Sequence, residues 1–191
     1  MNTPGRKFFH ILSAIFILPV FLLPDPTRKL FFISVFLLVL AVDTLRLTSR
    51  GFRKLFMLFF RDILKEQEQK TYSGATFLFL SFMILNVFFS REIAAFSMLL
   101  LTVSDPLAAL LGKYMRPRIR VVGDKTLWGF IGFVIGGLLV SIFFHNLQLK
   151  SRMIAILVGA LIEMFSAGID DNLLIPVGCA LALQLTKGGE I

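Results

Sequence analysis

With 191 residues, 57% hydrophobic side chains and 22 Phe, the chain is far more apolar than a soluble domain of its length, which excludes an ordinary water-soluble fold. The formal charge of +8 does not make it a nucleic-acid binder. Its Lys and Arg residues lie between hydrophobic runs, where anionic lipid and the positive-inside rule account for them. At about 20 residues per span, the length is consumed by one all-α membrane domain covering residues 1–191.

Arg6 and Lys7 precede an apolar run from Phe8 to Leu23. Pro24-Asp25-Pro26 follows it in place of a small-residue cleavage site, so the run is expected to be a retained first helix, with His10 one turn inside. A second span, Leu30 to about Leu47, carries Asp43 and Arg46 at i,i+3, on one face and close enough to pair. Between Gly51 and Lys65 the pattern changes. Phe52, Leu55, Phe56, Phe59 and Ile63 share an arc opposite Arg53, Lys54, Arg61, Asp62 and Lys65, as in an amphipathic helix lying in the membrane interface. Glu66 and Glu68 form a polar turn before the small-residue entry Ser73-Gly74-Ala75-Thr76 of a third span ending near Ser90.

A fourth span begins after Arg91-Glu92 and is apolar until Thr102, Ser104 and Asp105-Pro106. Pro106 lacks a backbone N–H and Asp is a good helix start, so a break is expected here, with Asp105 capping a short second helix, Leu107 to Tyr114. Arg116, Arg118, Arg120 and Lys125 load the next loop, and Gly123 permits its turn. Such a basic, glycine-containing loop can hold phosphates, although the GxxxxGK[ST] spacing of a P-loop is absent. The fifth span, Trp128 to His145, contains Gly132 and Gly136 at the spacing that lets helices approach closely. The sixth, Met153 to Gly168, carries Glu163, and Asp170-Asp171-Asn172 links it to the seventh, Leu173 to Thr186. Glu163 with two Asp makes an oxygen-rich group of the kind Mg²⁺ prefers. Cys179 lies in an apolar run and reads as a small packing residue.

Seven spans put the N-terminus and the loops after the second, fourth and sixth spans on one face, where most of the 20 Lys and Arg residues fall. The N-terminus and that face are therefore expected in the cytoplasm, and the C-terminus on the opposite side. His10, Asp43, Arg46, Glu66, Glu68, Asp105, Lys125, Glu163, Asp170 and Asp171 then share one interface. A site there is reachable by a soluble charged molecule and by a lipid headgroup.

Taken together, these residues resemble the CTP-dependent lipid kinases, the family of dolichol kinase, phytol kinase and yeast-type diacylglycerol kinase. The resemblance covers nearly the whole chain. It runs through Arg6-Lys7 with His10, Asp43 with Arg46, Glu66 to Gly74, Asp105 with Ala108, Ala109 and Gly112, Lys125-Thr126 with Gly129, and Glu163 with Asp171-Asn172 and Pro176. In the family's Lys-Thr-x-Glu-Gly-Ser pattern, Trp128 stands where Glu is common and Phe130 where Ser is common.

The resemblance implies transfer of the γ-phosphoryl group of a nucleotide, typically CTP, to a membrane lipid alcohol with Mg²⁺ or Mn²⁺. On that reading Lys113, Gly123, Lys125, Thr126 and Gly129 face the nucleotide, and Asp105, Glu163, Asp170 and Asp171 supply metal ligands. Asp105 is the choice for orienting or deprotonating the lipid hydroxyl, and Arg46, held by Asp43, for touching phosphate; His10, Glu66, Glu68 and Asn172 complete the site. A polyprenol, a phytol-like alcohol and a diacylglycerol suit the greasy helices alike, and oligomeric state leaves no signature. Two other readings stand beside it. A phosphatidate cytidylyltransferase also joins CTP, Mg²⁺ and a membrane lipid, though its C-terminal signature is not found here. A small transporter or channel also places charges in spans, but here they gather at one face instead of lining a path, and no inverted repeat is visible.

Overall fold

The computed structural model of the chain describes residues 4–61, 64, 67–165 and 170–187. Among them the architecture is all-α, joined by one small hairpin that the sequence pattern did not announce. Glu66, Asp62, Ile63 and Lys65, and the side chains of Arg6 and Lys7, lie outside the described residues.

Helix α1 (Pro4–Ser13) passes through a tight turn at Ala14–Phe16 into α2 (Ile17–Leu22). Pro19 cannot donate to residue 15 and its ring crowds that carbonyl, so the chain tightens one turn earlier. Helix α3 (Asp25–Thr48) starts with Pro26 in its first turn, where a missing N–H costs nothing. Ser49 then caps α4 (Arg50–Phe60), its Oγ accepting from Phe52 N at 3.4 Å. Arg53 folds back to donate to the carbonyls of Arg46 and Leu47 at the end of α3, favourable for a cation at a helix C-terminus. The inward row of α4 is Phe52, Phe56 and Phe60, with successive rings 6.5 and 4.8 Å apart. Leu55, Leu58 and Phe59 are more exposed, at 56–76%, and Phe60 is 45% exposed.

Helix α5 (Gly74–Phe88) leads to α6 (Arg91–Leu99), which continues through a π turn at Leu100–Ser104 into α7 (Asp105–Tyr114). The expected break at Asp105-Pro106 is therefore absent. Ser104 and Asp105 both have right-handed helical backbone, and Asp105 is the first residue of α7 rather than its cap. The wider turn moves the hydrogen-bond register past Pro106, whose ring and missing N–H an ordinary α-turn would not accept.

Strands β1 (Arg120–Val122) and β2 (Lys125–Thr126) form an antiparallel pair, followed by α8 (Leu127–Ser141), α9 (Leu149–Phe165) and α10 (Asp171–Lys187). The core runs between α5, α6, α8, α9 and α10 through Phe82, Leu85, Phe96, Phe133, Ile156 and Cys179, all buried. Gly132 and Gly136 do serve packing. A Cβ on Gly132 would stand 2.9 Å from Ala108 Cα, and one on Gly136 2.8 Å from Ser104 Cα, so α8 lies directly on α7 and the π turn.

Among the described residues two helices are long and apolar enough to cross a membrane, Asp25–Thr48 and the continuous Arg91–Tyr114. The apolar stretch of the first is only 17% buried against 67% in the second, so α3 lies at the edge of the bundle and α6–α7 near its centre. Helices α5 and α8 are apolar but have 15 residues each, about 22 Å at 1.5 Å per residue.

Candidate active site

The helices alternate in direction, so the C-terminal ends of α3 and α9 and the N-terminal ends of α5, α8 and α10 meet at one end of the bundle. Asp43 Oδ2 on α3 accepts from Ser73 N at 2.6 Å and Thr76 Oγ1 at 2.7 Å, at the start of α5. Asn172 Nδ2 on α10 donates to Gly74 O at 3.0 Å. Lys125 Nζ, just before α8, donates to Glu163 Oε1 on α9 at 2.8 Å and to Asp171 Oδ2 on α10 at 3.0 Å.

Several local features place Lys125. Gly123 takes φ +53°, the left-handed conformation that turns β1 into β2 and that other residues adopt at a cost. Trp128 Nε1 donates to Pro117 O at 3.0 Å, and Leu127 N to Ile119 O at 3.0 Å, tying the loop down onto α8. Thr126 caps α8, its Oγ1 accepting from Gly129 N at 3.1 Å. A Cβ on Gly112 would lie 2.8 Å from that hydroxyl, so the α7 glycine makes room for the cap.

Across from it, Asp170 Oδ1 accepts from Asn172 N at 3.0 Å and starts α10, turning Asp171 toward the ammonium. Burial works against the charge of Lys125, but the carboxylates of Glu163 and then Asp171 outweigh it. The ammonium is held above its ordinary value and stays protonated at neutral pH.

Asp105, the first residue of α7, lies close enough for its charge to act on Glu163. Gly129 is packed nearby, the position of a Cβ there being 4.0 Å from Glu163 Oε2. Lys113 is not drawn in. It is exposed, with its ammonium 5.1 Å from the centre of the Tyr114 ring.

Among the described residues no three His, Cys, Asp or Glu side chains are arranged to hold a metal ion. Mg²⁺ does not need three. It keeps several waters and is commonly bound by one or two carboxylates together with substrate phosphates. Glu163 and Asp171 offer such oxygens around a position where a cation, the Lys125 ammonium, already sits. The donor chemistry therefore fits a hard divalent cation. Asp170 is engaged in starting α10.

Asp43 and Arg46 pair as their spacing implies, and the arrangement is structural. Arg46 is fully buried: Nε donates to Asp43 Oδ1 at 2.7 Å, Nη1 to Glu68 O at 2.9 Å, and Nη2 to Thr71 O at 2.8 Å. The Phe56 ring covers the guanidinium, its centre 5.5 Å from Cζ. The pair thus pins the loop before α5 to the end of α3, with the guanidinium spent on loop carbonyls instead of facing a ligand. Ser73 and Thr76, the partners that complete it, showed only as part of a small-residue helix entry.

Beside this pair is a cavity of about 290 Å³, bounded by α1, α3, α4, α5 and the start of α10. Its walls are Phe9, Leu38, Val39, Val42, Phe56, Phe60, Leu64, Ala75, Leu78 and Phe79. His10, Asp43, Glu68, Ser73 and Asn172 provide the polar lining, and all five are buried. Asn172 faces the cavity while its neighbour Asp171 pairs with Lys125, so the cavity and the charged corner adjoin through consecutive residues.

No protein-family model and no solved structure matches the chain. Several curated proteins do. An uncharacterized protein of Rickettsia prowazekii is 27% identical over 94% of this chain and 92% of its own length. The CTP-dependent diacylglycerol kinase 1 of Schizosaccharomyces pombe is 29% identical over 75% of this chain and 73% of its own length. The phytol kinase of a Synechocystis species is 32% identical over 46% of this chain and 42% of its own length.

Proposed function

We propose that the chain is a CTP-dependent lipid kinase, like the diacylglycerol and phytol kinases it resembles, and that it forms a single membrane-embedded catalytic domain. It transfers the γ-phosphoryl group of CTP to a lipid alcohol at the end of the bundle where the charges converge. The observation that carries this reading is the Lys125 ammonium held between Glu163 and Asp171, beside a capped helix start and an apolar cavity.

Phosphoryl transfer needs alignment and charge neutralisation more than covalent help. Lys125, on a turn fixed by Gly123, Thr126 and Trp128, meets the nucleotide phosphates, and the start of α8 adds its dipole. Glu163 and Asp171, with Asp105 nearby, would hold Mg²⁺, which would supply charge neutralisation at those phosphates. Asp105 orients the lipid hydroxyl and takes its proton. The hydroxyl oxygen bonds to the γ-phosphorus, the bond from phosphorus to the β–γ bridging oxygen breaks, and CDP leaves. Lys113, at the exposed end of α7, contributes positive potential.

On this reading the chain crosses the membrane seven times, with α4 in the interface and the site facing the cytoplasm; the exposed apolar residues support its burial in a bilayer. Leu22, Phe88, Phe143 and Leu185 are 75–80% exposed, a surface that a bilayer covers. The shorter helices then sit with their ends near the headgroups, the charged corner among them.

Product analysis tests the reading. Purified protein supplied separately with α-labelled and γ-labelled CTP and a lipid alcohol is expected to place only the γ label in lipid and to release CDP. Incorporation of the α label with release of pyrophosphate would replace the kinase by a cytidylyltransferase.

A further inference from the structure

The cavity beside the charged corner has walls and a polar end of different character. Leu38, Val39, Val42, Leu78 and Phe79 make the walls, and Phe56 and Phe60 of α4 roof it. Its polar groups gather at the bundle end where Asn172 stands next to Asp171, with Glu68 and His10 buried there at 7% and 5% exposure. At about 30 Å³ for a water-sized unit, its 290 Å³ holds on the order of ten such units, the first stretch of one hydrocarbon chain.

Resting on the lipid-kinase reading above, we propose that this cavity is the acceptor site and that it selects a single-chain lipid alcohol over a diacylglycerol. In the nucleotide-free protein the hydroxyl sits at the polar end, where the Glu68 carboxylate accepts its hydrogen bond and the His10 ring supplies a second polar contact; for phosphoryl transfer it moves past Asn172 into the adjoining charged corner, to Asp105. A carboxylate has about four lone-pair sites, so Glu68 can accept this bond beside any other it makes. The chain runs along the α3–α5 wall beneath α4. Asp43 is not available to the hydroxyl, because Arg46, Ser73 and Thr76 already hold its oxygens.

The selectivity follows from what the walls lack. A diacylglycerol carries two ester carbonyls within a few bonds of its hydroxyl. Beyond its polar end the cavity offers only apolar walls such as Val42, Leu78 and Phe79, so an ester carbonyl carried past that end would be buried without a partner, which is costly. A prenol-type or long-chain alcohol brings only methylenes and methyls to that wall. Because α4 is amphipathic and leaves Leu55, Leu58 and Phe59 exposed, the roof itself lies where such a chain would enter from the bilayer.

The test uses the full chain in lipid nanodiscs without nucleotide, and a long-chain alcohol bearing a diazirine along its chain. Photolabel is expected on residues 52–60 and 74–79. The unlabelled alcohol should displace it, and its methyl ether and a diacylglycerol should each compete about tenfold less well. Ala75→Phe, which fills the cavity, should reduce labelling about tenfold, whereas Leu185→Ala on the outer surface should leave it unchanged. Should the filled variant fail to fold, Glu68→Leu provides a second reading, since discrimination between alcohol and ether should collapse. Label spread over the outer surface, or equal competition by ether or diacylglycerol, would overturn the assignment. The outcomes separate from those of the kinase reading. Lipid phosphorylation without label in the cavity removes this site alone, whereas label in the cavity with no phosphoryl transfer from any nucleotide removes the kinase reading and leaves the alcohol site.

Discussion

Replacing Lys125 by Ala removes the one cation between two carboxylates, and the structure sets the size of the effect. Nζ lies 2.8 Å from Glu163 and 3.0 Å from Asp171, with Glu163 9% exposed and Lys125 and Asp171 31% exposed. Breaking a fully buried pair costs about 3–5 kcal/mol, and partial solvation of two of the three groups brings the expected loss to about 1–3 kcal/mol. Most of that loss is the repulsion and desolvation of carboxylates left behind. Adding Glu163→Gln should therefore recover about half or more of the stability, and a double-mutant cycle would show strong coupling. Activity should behave differently. Loss of the phosphate-binding cation should lower turnover about 10²-fold or more in both proteins, because the second change restores no positive charge. Thermal unfolding in detergent, read beside γ-label transfer, separates the two effects. If Lys125→Ala/Glu163→Gln were no more stable than Lys125→Ala, or if Lys125→Ala kept the parental turnover, the geometry given to this corner would be wrong.

Gly132→Ala should destabilise by about 1–3 kcal/mol, since its Cβ would meet backbone of Ala108 and Leu107 at 2.9 Å, whereas Gly178→Ala meets the tip of Ile162 at 2.4 Å and should cost less; thermal melts in detergent compare them. Asp43→Asn replaces a carboxylate bound by Arg46, Ser73 and Thr76, and should cost about 3–5 kcal/mol and expose residues 67–73 to limited proteolysis; unaltered cleavage would argue against the pinning role. Lys125 is raised above 10.5, so its contribution to stability is fully present below that pH and is lost as pH rises through its higher folded value. A pH–activity profile between 6 and about 9 should accordingly contain no limb that Lys125→Arg shifts.

What the sequence discloses here depends on how local each device is. Asp43 and Arg46 are three residues apart on one helix, so their pairing is visible in the pattern; their shared task of pinning residues 68–73 depends on carbonyls more than 20 positions away and is not. The turn at Gly123 was legible because only a residue free to take positive φ suits it. The continuous helix through Pro106 was not, because the π turn is settled by tertiary packing, where Gly136 admits Ser104 against α8. Lys125 meets Glu163 and Asp171 across 38 and 46 residues, and helix alternation implied only that they share an end of the bundle. Lys113 is exposed beside the Tyr114 ring, a placement that its position in the sequence alone did not give.

Most direct is the incubation of purified protein with γ-labelled CTP and a panel of lipid alcohols, beside Asp105→Asn and Lys125→Ala proteins whose folding is verified by thermal melts. The account predicts label in a lipid phosphate with the parental protein and about 10²-fold less with either variant. Absence of lipid label with CTP, ATP, GTP and UTP alike, or equal labelling by the folded variants, would contradict it.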